Sequence, residues 1–374
     1  MSSQFTRLSA VLAKSLSLSI DQLTQSFRPA LATEISLISN MRRQIFGRSI
    51  KDSDEEYLAW RYFRSTDSPS TLWVFEYQGA IIAVIGTEPV ELVNCGKHEA
   101  AIRNMDAMVD PLFNNRGLGA WMSLMLQERH TCILVCGANN NSRSMLRKIF
   151  HGMPARQNRK LILASEGYFQ KRVIPPIAGV MSLITNALLA CRHHFKWEKI
   201  SAPKNVEILT INSIEELCDL MPNGAGYLGD IKVHRSRNYL DWRYRDNPQA
   251  DVMITGAFKQ EKLLGYAVYH LNTETQFKVG RIVEWDIFSE NDRTRILSSI
   301  YLQVIMRLKN AGAKEILITL NDKTSIDSAK NTGFILRESD SEIFVYYKGA
   351  KSDDPIYSPE RWYQSISDAD AEGI

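Results

Sequence analysis

The sequence predicts an α/β fold made of two tandem copies of one unit, each a mixed, twisted sheet flanked by helices. Three observations predict it. The chain has 374 residues, a length that suits two average domains with a core each. The segment Tyr57-Leu58-Ala59-Trp60-Arg61-Tyr62 returns as Tyr239-Leu240-Asp241-Trp242-Arg243-Tyr244, an offset of 182 residues, and a repeat that contains tryptophan is hard to obtain by chance. Both occurrences are followed by strand-like and helix-like runs in the same order.

In residues 1–27, Phe5, Leu8, Leu12 and Leu16 recur at helical spacing and predict an amphipathic helix docked on the domain. Arg7, Lys14, many serines and no acid in the first twenty residues are also the composition of an organelle transit peptide. The first copy, residues 28–165, continues after the repeat with a turn at Pro69, a strand, a turn at Gln78-Gly79 and a strand from Ala80 to Gly86. Ile102 to Ala107 reads as the next strand. A helix from about Gly117 to Glu128 follows, with Leu118, Trp121, Met122, Met125 and Leu126 on its apolar face, then a strand over Cys132–Cys136 and a further helix.

The second copy, residues 205–350, repeats this order through Pro248, Leu263 to Tyr269, Ile282 to Ile287, a helix striped by Ile296, Ile300, Val304, Ile305 and Leu308, and a strand at Glu315 to Thr319. Between the copies lies a linker, 166–204, whose stretch 173–191 is uncharged and has basic residues on both sides. Pro175, Pro176, Gly179, Ser182, Thr185 and Asn186 make it a poor membrane span. A helix clamped between the domains is expected, with peripheral membrane contact through 173–191 as the alternative. Residues 351–374 form a C-terminal tail.

Composition excludes several classes. Forty-five Lys and Arg nearly balance 42 Asp and Glu, so no nucleic-acid partner is expected. Five scattered cysteines fit a reducing, cytoplasmic location, and the seven histidines show no ligand-pair spacing, so no metal is expected.

The most informative stretch runs from Asp106 to Ala120. A strand breaks at Asp110-Pro111, and Gly117-Leu118-Gly119 opens a helix. The first turn of a helix has main-chain N–H groups without intrahelical partners and a positive dipole end, and glycines let a pyrophosphate approach the main chain. With Val109-Asp110-Pro111 before it and a strand ending near Asn139 after it, Asn114-Asn115-Arg116-Gly117-Leu118-Gly119 resembles the coenzyme A motif of the GNAT acyltransferases, Gln/Arg-x-x-Gly-x-Gly/Ala. Asn114 departs from the pattern.

The resemblance covers most of residues 30–155. It implies that Asn114, Asn115, Arg116, Gly117, Leu118, Gly119 and Ala120 cradle the phosphates of acetyl-CoA or another acyl-CoA. It also implies that the backbone of Met108 and Val109 pairs with pantetheine and that Asn139 and Ser142 sit near the cofactor. The second copy reads Ser289-Glu290-Asn291-Asp292-Arg293-Thr294-Arg295 at the same place, with no glycine and two acids, so only the first copy is expected to bind CoA.

Direct transfer to an amine needs a base, and Asp106, on the strand leading into the cradle, is the candidate. The family's usual tyrosine acid is replaced by Leu146. Trp60, Arg61 and Tyr62 occupy the region that walls the acceptor site in this family, although their recurrence in both copies equally suits a structural role. The combination Tyr-Leu-x-Trp-Arg-Tyr, and a tail with Trp362, Asp368 and Asp370, look like GNAT proteins of bacterial cell-envelope and exopolysaccharide synthesis. That likeness implies a small-molecule or envelope-precursor amine as acceptor, with the tail over the acceptor cleft. A FemABX-like transferase using aminoacyl-tRNA and a non-catalytic scaffold are the rival readings; the former predicts a basic groove that the charge balance does not favour.

Overall fold

The computed structural model describes residues 3–46, 54–63, 71–136, 138, 140–154, 157–165, 169, 174–222, 226, 228–273, 277–337 and 342–365. The first half contains α1 (Ser3–Leu16), α2 (Ile20–Gln25), β1 (Phe27–Pro29), α3 (Ile35–Phe46), α4 (Glu55–Tyr62), β2 (Leu72–Tyr77), β3 (Ala80–Asn94) and β4 (Lys97–Val109). It continues with α5 (Leu118–Arg129), β5 (Cys132–Cys136), α6 (Asn140–Ile149), β6 (His151–Pro154) and β7 (Gln157–Ile162). After the long α7 (Pro175–Trp197) come β8 (Glu207–Ile211), α8 (Ile214–Leu220), β9 (Ile231–Val233), α9 (Arg237–Leu240) with a π-helical turn over Asp241–Arg245, β10 (Met253–Lys259) and β11 (Lys262–Asn272). The chain then forms β12 (Val279–Ile287), α10 (Arg293–Asn310), β13 (Glu315–Leu320), α11 (Lys323–Thr332), β14 (Ile335–Leu336) and β15 (Glu342–Tyr347).

Local chemistry explains where the helices begin. Asp54 caps α4 by accepting from the Glu56 amide, and Glu55 and Glu56 in the first turn complement the dipole. Asp322 caps α11 at the Ser325 amide, and Gly333 in the left-handed conformation ends that helix.

The two sheets exchange strands. The first runs β1-β2-β3-β4-β5-β15-β6, with β9 beside the far end of β3; the second runs β14-β7-β13-β12-β11-β10-β8. Thus β15, from the end of the chain, lies antiparallel between β5 and β6, while β7, from the first half, lies between β13 and β14. The sequence boundaries 28–165 and 205–350 therefore cut across both sheets, because each sheet is completed by a strand from the other half.

The expectation of two separate cores is corrected for the same reason. One core packs α1, α5 and α6 on the first sheet through Leu12, Trp121 and Leu146, and another packs α10 and α11 on the second through Ile300, Val304 and Ala329. A third joins the halves, bringing Leu92 and Leu134 of the first sheet against Ile254, Tyr266 and Val268 of the second, together with Trp362. Phe5, Leu12 and Leu16 are buried, so α1 is docked on the first half.

Helix α7 is not clamped between domains. It touches α11 through the Trp197 indole, which donates to the Thr332 carbonyl at 3.0 Å, while Ile177, Val180, Leu183, Ile184 and Leu188 are all exposed. Ala178 and His193 are the buried residues of this helix. Among the described residues, no helix is long and apolar enough to cross a membrane.

Candidate functional site

β4 lies parallel to β5 only where Ile102, Arg103 and Asn104 face Ile133, Leu134 and Val135. There β4 bulges: Gly86 of β3 faces Met105 but Val84 faces Met108, and Asp106 takes a φ of 51°. The extra residue swings Met105–Val109 away from β5, and among the described residues no strand pairs with that edge of β4 beyond Asn104. The result is a V-shaped opening whose one wall is a strand edge with main-chain donors and acceptors, suited to an extended amide-bearing ligand.

The strand leads directly to a helix start. Asp110 Oδ1 accepts from the Leu112 amide at 2.8 Å, and the turn passes through Asn115 (φ 62°) to Gly117 (φ 85°), which begins α5 with no side-chain cap. The N–H groups of Leu118, Gly119 and Ala120 have no intrahelical acceptor, so an anion can take them. Glycine is required at 117: its φ is left-handed, and a Cβ there would stand 3.0 Å from Leu8 Cδ1 of α1. Helix α1 thus forms a side of the cradle, tied down by the Trp121 indole donating to Ser9 Oγ at 2.9 Å. A Cβ at Gly119 would meet only Val109 and Met145, at 3.8 and 4.0 Å. The Arg116 guanidinium lies 5.1 Å from the Phe113 ring centroid, at the exposed rim of the turn with Asn114. Ser142 lies in the first turn of α6; Asn139 is outside the described residues.

Among the described residues the second half has the same splay, but its gap is bridged. β12 runs parallel to β13 only over Val279–Ile282, and it too is irregular opposite Val268 and Tyr269. The chain's own tail bridges the parted ends: the Tyr363 hydroxyl bonds the Trp285 carbonyl, and the Gln364 amide donates to Asn321 Oδ1 at 2.8 Å, just beyond β13. Asp292, not glycine, begins α10. A carboxylate at a helix start disfavours a second anion there.

Asp106 is not a free base. Its carboxylate accepts from the Tyr62 hydroxyl and forms an ion pair with Arg42 at 3.1 Å, Arg42 being 3% exposed. Burial by itself pushes the carboxyl up, but the cations Arg42 and Arg61, with the Tyr62 hydroxyl, hold it below the usual carboxylate range. A depressed carboxylate is a poor proton acceptor at neutral pH. The same device recurs in the closed half, where Tyr244 Oη donates to Glu284 Oε2 at 2.8 Å and Arg235 pairs with Glu284 at 2.7 Å. Recurrence without an open cleft marks Tyr-carboxylate-Arg as the fixture that pins each bulge. Gly86 makes room for it, since a Cβ there would collide with the Tyr62 ring.

Trp60 and Arg61 lie at the seam between the halves. Trp60 stacks on Trp242, and Arg61 and Arg243 approach Glu88 at 3.9 and 3.8 Å from the two halves, beside the shorter Arg103–Glu88 pair. Tyr62, turned to Asp106, is 1% exposed. Trp362 is wholly buried in the shared core, with its indole donating to the Ile356 carbonyl at 2.7 Å, so it does not cover an acceptor cleft. Asp368 and Asp370 lie outside the described residues. Leu146, also buried, has no proton to give. Two contributors had no sequence signal: Arg42, on a helix unrelated to the motif, and Leu8, whose period suggested only docking.

No family model matches the chain, and no curated protein matches it in sequence. Solved structures do match. A GCN5-related N-acetyltransferase from Anabaena variabilis ATCC 29413 superposes with a TM-score of 0.53 at 11% identity, over 86% of this chain and 72% of the other. A protein from Enterococcus faecalis V583, described as a probable N-acyltransferase, gives 0.54 at 10% identity over 86% and 72%. N-myristoyltransferase from Saccharomyces cerevisiae with bound myristoyl-CoA gives 0.52 at 10% identity over 87% and 79%. With two bulged, splayed sheets and a glycine-led helix at the end of one of them, the chain has the fold of the GCN5-related N-acetyltransferases.

Proposed function

We propose that this protein is an acyl-CoA-dependent N-acyltransferase with a single donor site, in the first half. The observation that carries the reading is the pairing of an open β4 edge with the uncapped start of α5: one takes an amide-bearing arm, the other its pyrophosphate. In the reaction an amine nitrogen attacks the thioester carbonyl carbon, the C–S bond breaks, the amine's proton leaves to solvent or a base, and the thiolate gains a proton. Main-chain N–H groups along the splayed part of β4 are placed to stabilise the developing oxyanion. Asp106 serves this chemistry by fixing the bulge.

The finer reading is acetyl-CoA as donor, which rests on the motif resemblance, a small-molecule or envelope-precursor amine as acceptor, which rests on the Tyr-Leu-x-Trp-Arg-Tyr likeness, and a cytoplasmic location, which rests on the scattered cysteines. Calorimetry with acetyl-CoA and longer acyl-CoA thioesters tests the donor site. One equivalent per chain is expected, and two equivalent sites, or none for any thioester, would overturn it.

The exposed apolar face of α7 supports peripheral membrane contact as a second element of the reading. Val180, Leu183, Ile184 and Leu188 are exposed ahead of a basic end that includes Arg192 and Lys196, the pattern of a helix lying in an anionic interface. The chain should sediment with vesicles containing phosphatidylserine but not with neutral ones, and Leu183→Glu with Leu188→Glu should abolish that. Equal behaviour of parent and variant would exclude the contact.

A further inference from the structure

The seven histidines show no ligand pair in sequence, yet the fold brings two of them to one carboxylate. We propose that Glu91, His98 and His234 form a binding site for one divalent ion of the zinc class at the seam between the halves. The site is independent of the donor cleft.

Strand register puts the three side chains together. His98 of β4 faces Val93, two residues from Glu91 on β3, so Glu91 and His98 emerge on the same face of the sheet. β9, from the second half, pairs with the other edge of β3, Val233 facing Leu92. The next residue, His234, donates its amide to the Glu91 carbonyl at 2.7 Å, which sets its side chain beside that of Glu91.

The donor atoms converge. His98 Nδ1 is 3.0 Å from Glu91 Oε1, His234 Nε2 is 3.8 Å from Glu91 Oε2, and all three ligand atoms lie within 4.8 Å of one another. Bonds of about 2.0–2.1 Å in tetrahedral geometry place ligand atoms roughly 3.3 Å apart. Small rotations of side chains achieve that: Glu91 and His98 are about half exposed, and the His98 and His234 rings already meet edge to face with centroids 5.0 Å apart.

Two imidazoles and a carboxylate are a borderline-soft donor set that suits Zn²⁺ and Co²⁺ and not Mg²⁺ or Ca²⁺. Three protein ligands leave coordination positions open, and the same side chains line a groove of about 430 Å³ with Ser236, Asn238 and Trp242. A bound ion would therefore carry water or an anionic group in that groove, and would tie the halves because its third ligand comes from the second.

The test uses the full chain with the exposed Cys95 and Cys191 changed to serine, which removes thiolates as adventitious ligands. After treatment with a chelator it is titrated with Zn²⁺, and with Co²⁺ for its visible absorption. One ion per chain is expected, with Zn²⁺ raising the unfolding midpoint. His98→Ala and Glu91→Gln should each weaken binding by at least about 100-fold and remove the rise in midpoint, with acyl-CoA affinity unchanged. Equal midpoints in metal-free buffer establish the fold of each variant, and Glu91→Gln, which keeps the side chain's size, decides the matter where His98→Ala does not fold. Absence of one-to-one binding by the parent, or binding that survives both variants, would overturn the proposal and leave Glu91 as a hydrogen-bond acceptor between two imidazoles.

Discussion

The indoles of Trp60 and Trp242 stack with centroids 5.1 Å apart and planes 15° apart, and Trp60 Nε1 donates to the main-chain carbonyl of Trp242 at 2.9 Å. These are the same position in the two copies of the repeat. Each copy's Trp-Arg-Tyr segment therefore meets its duplicate across the seam, the arginines turn to Glu88, and the tyrosines pin the bulges of the two central strands.

Trp60→Ala should destabilise the fold by roughly 3 kcal/mol, as truncation of a packed tryptophan does. A double-mutant cycle with Trp242→Ala should give a coupling of about 1 kcal/mol, the usual size for a stacked pair. Denaturant unfolding of the four proteins measures both. Strict additivity would show that the stack contributes nothing beyond burial.

Asp106→Asn should cost on the order of 3 kcal/mol, because it removes the negative charge from a buried ion pair with Arg42. Single-turnover rates at saturating acyl-CoA, corrected for folded fraction, should change less than about 10-fold; a general base would cost about 10²- to 10⁴-fold.

The pH dependence of stability has a definite sign. A carboxyl held below its unfolded value near 4 stabilises the native state above that pH, and the contribution is lost as pH falls through the lower native value. The parent should thus lose stability between pH 4 and the lower native value more steeply than Asp106→Asn does. Parallel melting curves for the two proteins below pH 4 would contradict the ion pair.

Gly119→Trp should abolish acyl-CoA binding while the chain still folds. A Cβ at 119 would make only ordinary contacts, with Val109 and Met145, and an indole on it would fill the approach to the N–H groups of the first turn. Gly117→Ala should instead lower the unfolding midpoint, through its left-handed φ and its contact with Leu8. Calorimetry and thermal melting separate the two effects.

Deleting residues 355–374 should unfold the second half, because Trp362 and Tyr363 are wholly buried and the tail bridges β12 to the end of β13. Loss of even one such aromatic costs about 3–5 kcal/mol. Thermal melting measures the loss, and a midpoint equal to the parent's would remove the tail from the core.

The sequence by itself determined the fold class. Periodicity gave the strands and helices, the Trp-Arg-Tyr repeat gave two copies, and Gly117 with Gly119 pointed to a glycine-led helix start, because local backbone conformation is fixed by local residues. Tertiary structure decided what depends on partners distant in sequence. Arg42, far from the motif, turned Asp106 from a candidate base into a buried ion pair. β7 and β15 are exchanged between the sheets, a third core with Trp362 in it joins the halves, and α7 keeps an exposed apolar face. β9 pairs with β3, so that His234 stands beside Glu91 and His98. Side-chain period shows which face a residue takes, but only strand order and register determine what it faces, and that order is set by burial summed over the whole chain.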